Sequence, residues 1–408
     1  MRHYRSQTRG YALRDLFIVI FVISVLLALL LPAIQAARES ARRTQCTNNL
    51  KNIVLGLQNY HDTYRMFPMG AMHAGVHPQG EPPNDARLGP SWWYGILPFV
   101  IQSGIYDGIQ RSQKESGAAQ YGFCADDMVT AGVRWTDNAG GIHRWTGRWQ
   151  PDFMRCPSSP LPSSENKSGP ICLPSYVGIT GGCDIDPASQ DYETVPSTLR
   201  GRAMQVYHNV DPAPQDDETT PWTATIRIYH NLAKGTGASP GGIVTSSGML
   251  PPCEHVPMAD CTDGTSNTII VGEQSDWLCD NANGKYHGDA GWTVGGTGAG
   301  GGWLSGTRRC DPVPPRDAAG GPPARWDADC WNLTTVRYPP NTKYVMGAQP
   351  LPGCSENHGI NNPLQSPHPR GMLVAFVDGS VQFFATKTDL AILLRCAIRN
   401  DGQNVIFE

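Results

Sequence analysis

Leu16–Leu31 is an uncharged apolar run, and no other stretch of this chain resembles it. With Ala33 and Ile34 it is about long enough to cross a bilayer as one helix. Arg2, Arg5 and Arg9 precede it, which predicts a cytoplasmic N-terminus and an outward-facing remainder. A cleaved signal peptide shares the basic start and the apolar stretch. Here the run is longer than a usual signal core, and no small-x-small cleavage site follows it. The segment is therefore predicted to stay on the protein. Arg14-Asp15 stands where the chain enters the apolar run, and a carboxylate there needs a partner.

The helix is predicted to continue beyond Pro32. Leu50, Ile53, Val54, Leu57, Tyr60, His61 and Tyr64 recur at helical spacing, with Asn48, Lys51, Asn52 and Asn59 between them. Such a stripe cannot bury itself and needs a sheet to lie on. Together the two halves span about 50 residues, roughly 75 Å of helix, and Phe67-Pro68 ends it.

Charge divides the chain. Residues 1–65 hold nine Lys/Arg against three Asp/Glu, a net of +6; the remainder holds 23 against 33, a net of −10. A basic stalk carrying an acidic outer part argues against a nucleic-acid partner. The twelve Cys suit an oxidising, extracytoplasmic setting. There is no C-x-x-C, which disfavours zinc ribbons and thioredoxin-like chemistry. Short-range disulfide candidates are Cys172 with Cys183, Cys253 with Cys261, and Cys310 with Cys330; spacing does not fix connectivity.

Further along, Ser91 is expected to cap a helix over 92–109. Strands are expected over 175–180 and 268–272, the second fed by a turn at Asp263-Gly264-Thr265-Ser266-Asn267. Met372–Val377, Asp378-Gly379 and Val381–Ala385 form a hairpin pattern, with Asp-Gly suited to a type I′ turn. A short helix over 389–398 and a last strand over 404–407 complete the chain. Residues around 184–255 and 280–350 read as loop insertions.

Two resemblances follow from these motifs. Gly10-Tyr11-Ala12-Leu13-Arg14-Asp15 before the apolar helix resembles the signal of type IV pilins and type II secretion pseudopilins. That resemblance implies cleavage by a prepilin peptidase after Gly10 and methylation of the new N-terminal Tyr11. It implies pairing of Asp15 with a neighbouring subunit's N-terminal amine, and a helix kink near Pro32. The family usually has Phe, an apolar residue and Glu where this chain has Tyr11, Arg14 and Asp15. The second resemblance rests on Cys46-Thr47-Asn48-Asn49-Leu50-Lys51, Asn59-Tyr60-His61-Asp62, Pro68, Cys156-Pro157-Ser158, and Thr262 to Thr268. His368, nine residues, then Asp378-Gly379 completes it. Together these resemble the bacterial pilin-like family called domain of unknown function 1559, once labelled solute-binding and without an established activity.

Catalytic patterns are thin. Gly237-Ala238-Ser239-Pro240-Gly241 has the outline of a nucleophile elbow, but Pro240 lacks the N–H that an oxyanion hole needs. Gly296-x-Gly298-x-x-Gly301 lacks a surrounding βαβ unit. No H-E-x-x-H occurs, and no metal ligand set is assigned. His368 and Asp378 can be read as an acid–base or metal pair. The structural alternative is that Asp378 shapes its turn while His368 fastens the start of the strand. Asp263, Ser266 and Asn267 offer oxygens to Ca²⁺; with one carboxylate the loop reads more simply as an Asx-turn. Trp135, Trp145, Trp149, Trp292 and Trp303 suit either a core or a sugar-stacking face.

The expected protein is α+β and pilin-like, with a long N-terminal helix on an antiparallel sheet. The expected parts are a leader over 1–10, a membrane half over 11–34, an amphipathic half over 35–66, and a head over 67–408. The expected role is that of a non-enzymatic structural or secretion-apparatus subunit in the cytoplasmic membrane, its head periplasmic or at the cell surface. Its expected partners are prepilin peptidase, the membrane and other filament subunits. The alternative is an extracytoplasmic glycan- or solute-binding protein on a pilin-type anchor.

Overall fold

A computed structural model describes residues 13–73, 88–100, 106–110, 134–136, 142–144, 151–162, 164–165, 171–183, 229–231, 242–280, 285–287, 331–346, 351, 353–354 and 360–402. Helix α1, Leu13–Tyr64, runs without a break through Pro32. It is the one described helix long and apolar enough to cross a membrane. Its two halves have opposite environments. Leu16–Leu31 lie open, with Phe21 69% and Leu29 70% exposed, whereas Cys46, Leu50, Ile53, Val54 and Leu57 are fully buried. Burying four such aliphatic side chains is worth roughly 1.5–3 kcal/mol each, so the lower half is held by packing.

The surface beneath it is a five-stranded sheet. Strands β1 (Tyr176–Gly182), β2 (Ile269–Glu273), β3 (Leu333–Val336), β4 (Gly371–Phe376) and β5 (Val381–Ala385) lie in the order β3-β1-β2-β4-β5. All pairs are antiparallel except β3 with β1. The sheet is therefore mixed rather than antiparallel throughout. Side chains alternate across it as the strand period requires. Leu373 and Ala375 join the core under α1; Met372, Val374 and Phe376 join a second core on the other face. That second core is closed by helix α3, Leu390–Ala397. Asp389 caps it, accepting a hydrogen bond from the Ala391 amide at 2.9 Å.

Several local expectations change. The helix expected over 92–109 is not continuous: α2, Trp92–Ile96, gives way to a 3-10 turn at Leu97–Phe99 with Pro98 inside it, and residues 106–110 are helical again. Ser91 makes no side-chain cap. Trp92 and Trp93 stack at 4.1 Å between ring centroids and sit in the core. Residues expected to lie in insertions are central: Met249 and Leu250 are buried, and Leu333–Val336 is β3. Their sequences lack long periodic runs because short segments reach the core singly. The strand expected over 404–407 lies outside the described residues.

Candidate functional site

Four chain segments meet where α1 crosses the end of β2. Glu39 and Cys46 are seven residues apart on α1, two turns, and so share its inner face. Asn49, one turn further, donates its side-chain N–H to the carbonyls of Asp152 (3.2 Å) and Arg155 (2.9 Å). Those bonds fix the turn at Asp152–Met154 and set Cys156 against the helix. Glu273 ends β2 two residues after Val271 and so on the same sheet face. The segment carrying His368 runs beside that strand end. The Gln365 amide donates to the Glu273 carbonyl at 2.9 Å, and the His368 amide donates to Ser366 Oγ at 3.2 Å.

Cys46, Cys156, Glu273 and His368 are all buried, and one ligand atom from each lies within 4.8 Å of the others. Cys46 Sγ is 2.8 Å from Cys156 Sγ. His368 Nε2 is 3.5 Å from Cys156 Sγ and 3.5 Å from Glu273 Oε1. Glu273 Oε2 accepts the Leu373 amide at 2.8 Å, while Oε1 has no hydrogen-bond partner. On the ring's other side, His368 Nδ1 is 2.5 Å from Glu39 Oε1. Glu39 Oε2 accepts from Arg42 Nη2 at 2.7 Å and from Ser158 Oγ at 3.2 Å.

Electrostatics follow from this packing. Burial opposes a charged imidazole, but Cys156, Glu273 and Glu39 together outweigh it and push His368 up to about 11. Burial also opposes the Glu39 carboxylate, yet hydrogen bonds from His368 and Arg42 hold it below its ordinary range. Cys156 is pushed up by its contact with Cys46 and by burial. The site thus sets one imidazole between two carboxylates, beside two sulfurs.

His368 and Asp378 do not form a pair. The six residues of β4 separate them, roughly 20 Å at about 3.3 Å per residue. Asp378 Oδ1 instead accepts the Ser380 amide at 2.8 Å. The turn is also not type I′, since Asp378 is absent from the positive-φ residues and Gly379 alone takes φ +88°. Gly379 N bonds Phe376 O, and Phe376 N bonds Ser380 O. The loop is Val377-Asp378-Gly379, the three-residue type with its last residue left-handed. Gln58 on α1 donates to the Val377 carbonyl at 2.9 Å, docking the tip on the helix.

Asp263 does not build a local Asx-turn with its carboxylate. Its two oxygens accept the amides of Asp401 (2.7 Å) and Gly402 (2.8 Å), tying down the C-terminal segment. Asn267 Nδ2 donates to the Asp263 carbonyl instead.

Two suggested disulfides are not formed. Cys172 and Cys183 are not bonded to each other, and Cys253 is disulfide-bonded while the Cys261 thiol is free. Cys310 and Cys330 lie outside the described residues. So do Gly10, Tyr11, the Asp15 side chain, the glycine-rich patterns at 237–241 and 296–301, and the five loop tryptophan side chains.

Sequence reasoning found Cys46, Cys156 and His368 as motif members but did not bring them together. Glu39 and Glu273 were missed altogether. A carboxylate closing the apolar strand Ile269-Ile270-Val271-Gly272-Glu273 was the one available signal, since a charge there is buried and must be answered.

The architecture defines an α+β protein in which a long apolar N-terminal helix continues into a sheet-bearing head. The model of a protein family of unknown function (DUF1559) matches residues 35–391, and the chain belongs to that family. No curated protein and no solved structure matches it.

Proposed function

We propose that this protein is a single-pass, membrane-anchored, non-enzymatic subunit of pilin or pseudopilin type, its head held outside the cytoplasmic membrane. The observation that carries this reading is the split character of α1. Leu16–Leu31 pack against nothing in the head, while one face of the same helix further along, Cys46, Leu50, Ile53, Val54 and Leu57, is fully buried. An uncovered apolar helix of this length needs lipid or other copies of itself. Prepilin peptidase cuts between Gly10 and Tyr11, Tyr11 is methylated, and Asp15 answers a neighbouring subunit's amine.

Membrane fractionation with mass spectrometry of the mature N-terminus tests this. The protein should resist carbonate extraction and begin at methylated Tyr11, and Gly10→Glu should keep the leader attached. A soluble protein beginning near residues 36–40 would overturn the reading.

A further inference from the structure

We propose that Cys46, Cys156, His368 and Glu273 form a closed, four-coordinate zinc(II) site that fastens α1 to the head. The residues come from α1, the 152–158 turn, the end of β2 and the segment before β4, so one ion would join four parts of the chain. The distances fit such an ion. With Zn–S near 2.3 Å and Zn–N or Zn–O near 2.0–2.1 Å, a tetrahedron has S–N and N–O edges of roughly 3.3–3.6 Å. Both contacts of His368 Nε2, to Cys156 Sγ and to Glu273 Oε1, measure 3.5 Å. The two sulfurs, 2.8 Å apart, would part by about 1 Å to span the ion.

Three further features point the same way. Glu273 Oε1 is wholly buried, faces His368 Nε2 at 3.5 Å, and makes no hydrogen bond. A disulfide between Cys46 and Cys156 would leave that oxygen as it is; a cation would answer it. Glu39 sits on His368 Nδ1, which is the outer carboxylate that zinc-bound imidazoles use to fix their tautomer. The donor set is two soft sulfurs, an imidazole and one carboxylate, which suits zinc and not Ca²⁺ or Mg²⁺. All four ligands are buried, leaving no open position, so the site is structural rather than catalytic. In such a site both sulfurs bind as thiolates and His368 Nε2 binds without its proton, with Nδ1–H held by Glu39.

The test uses the full chain, extracted from its own membranes in detergent without added reductant or chelator. Elemental analysis should find about one zinc per chain, and X-ray absorption should show two sulfur neighbours at about 2.3 Å with two lighter ones. Cobalt(II) exchange should give thiolate charge-transfer bands. Cys156→Ser should lose those bands, and Glu39→Gln should keep the ion but weaken it about 10–100-fold. Because Cys156→Ser also disturbs packing, the absorption spectrum of the unaltered protein decides. A protein without zinc whose Cys46 and Cys156 are recovered as a linked peptide would overturn the site. So would zinc bound without sulfur neighbours. Neither result bears on whether α1 is an anchor.

Discussion

The two ends of β4 carry the two halves of one sequence signature, and they are built on different principles. At the Gly379 end the polar side chains are answered by backbone. Asp378 takes the Ser380 amide, Gln58 gives to the Val377 carbonyl, and Asp263 takes the Asp401 and Gly402 amides. At the His368 end the side chains face one another, and Glu273 Oε1 is left over. A carboxylate saturated by amides has its role in the path of the chain. Side chains that converge with a valence unspent keep the capacity to take a ligand. Proximity in a motif therefore says little about shared chemistry.

Three substitutions probe this contrast. His368→Gln should be the most damaging, because it leaves Glu273 as an uncompensated buried carboxylate; breaking such a pair costs roughly 3–5 kcal/mol. A lost hydrogen bond alone would cost about 1 kcal/mol, so denaturant titration of the purified protein separates the two accounts. Gly379→Val comes next, at about 1–3 kcal/mol, since a β-branched residue is strained at φ +88°. Its added Cβ would also meet Gln58 Nε2 at 3.4 Å, so hydrogen exchange should rise first at the hairpin tip. Asp378→Asn should shift stability by less than about 0.5 kcal/mol, because Asn can accept the same Ser380 amide. If Asp378→Asn proved as costly as His368→Gln, the two ends would not differ in kind.

Much of the fold was legible because it is locally encoded. The α1 stripe, the β4–β5 hairpin and α3 each follow from spacing within a few residues. The parallel pairing of β3 with β1 was not legible, since nothing near Leu333 names its neighbour some 150 residues earlier in the chain. The three-residue turn was mistaken for a two-residue one because Asp-Gly suits both; only the Phe376–Ser380 bonding distinguishes them. The site was the least legible part. Glu39 and His368 touch across 329 positions, and a single carboxylate in a helix looks like any solvated charge until its partner is placed.

The unbroken course of α1 has a mechanical consequence. In the anchored state, only about five residues, near 8 Å, separate Ile34, the end of the apolar stretch, from Glu39. Glu39 is where His368 and Ser158 grip the helix. No loop intervenes to absorb rotation, so tilt or twist of the embedded part turns the whole head with it. A pull along the helix axis loads the His368 cluster in shear before it reaches the aliphatic contacts at Leu50 and Leu57. The cluster is thus the first shackle of a rigid rod to take the load, with the aliphatic contacts behind it.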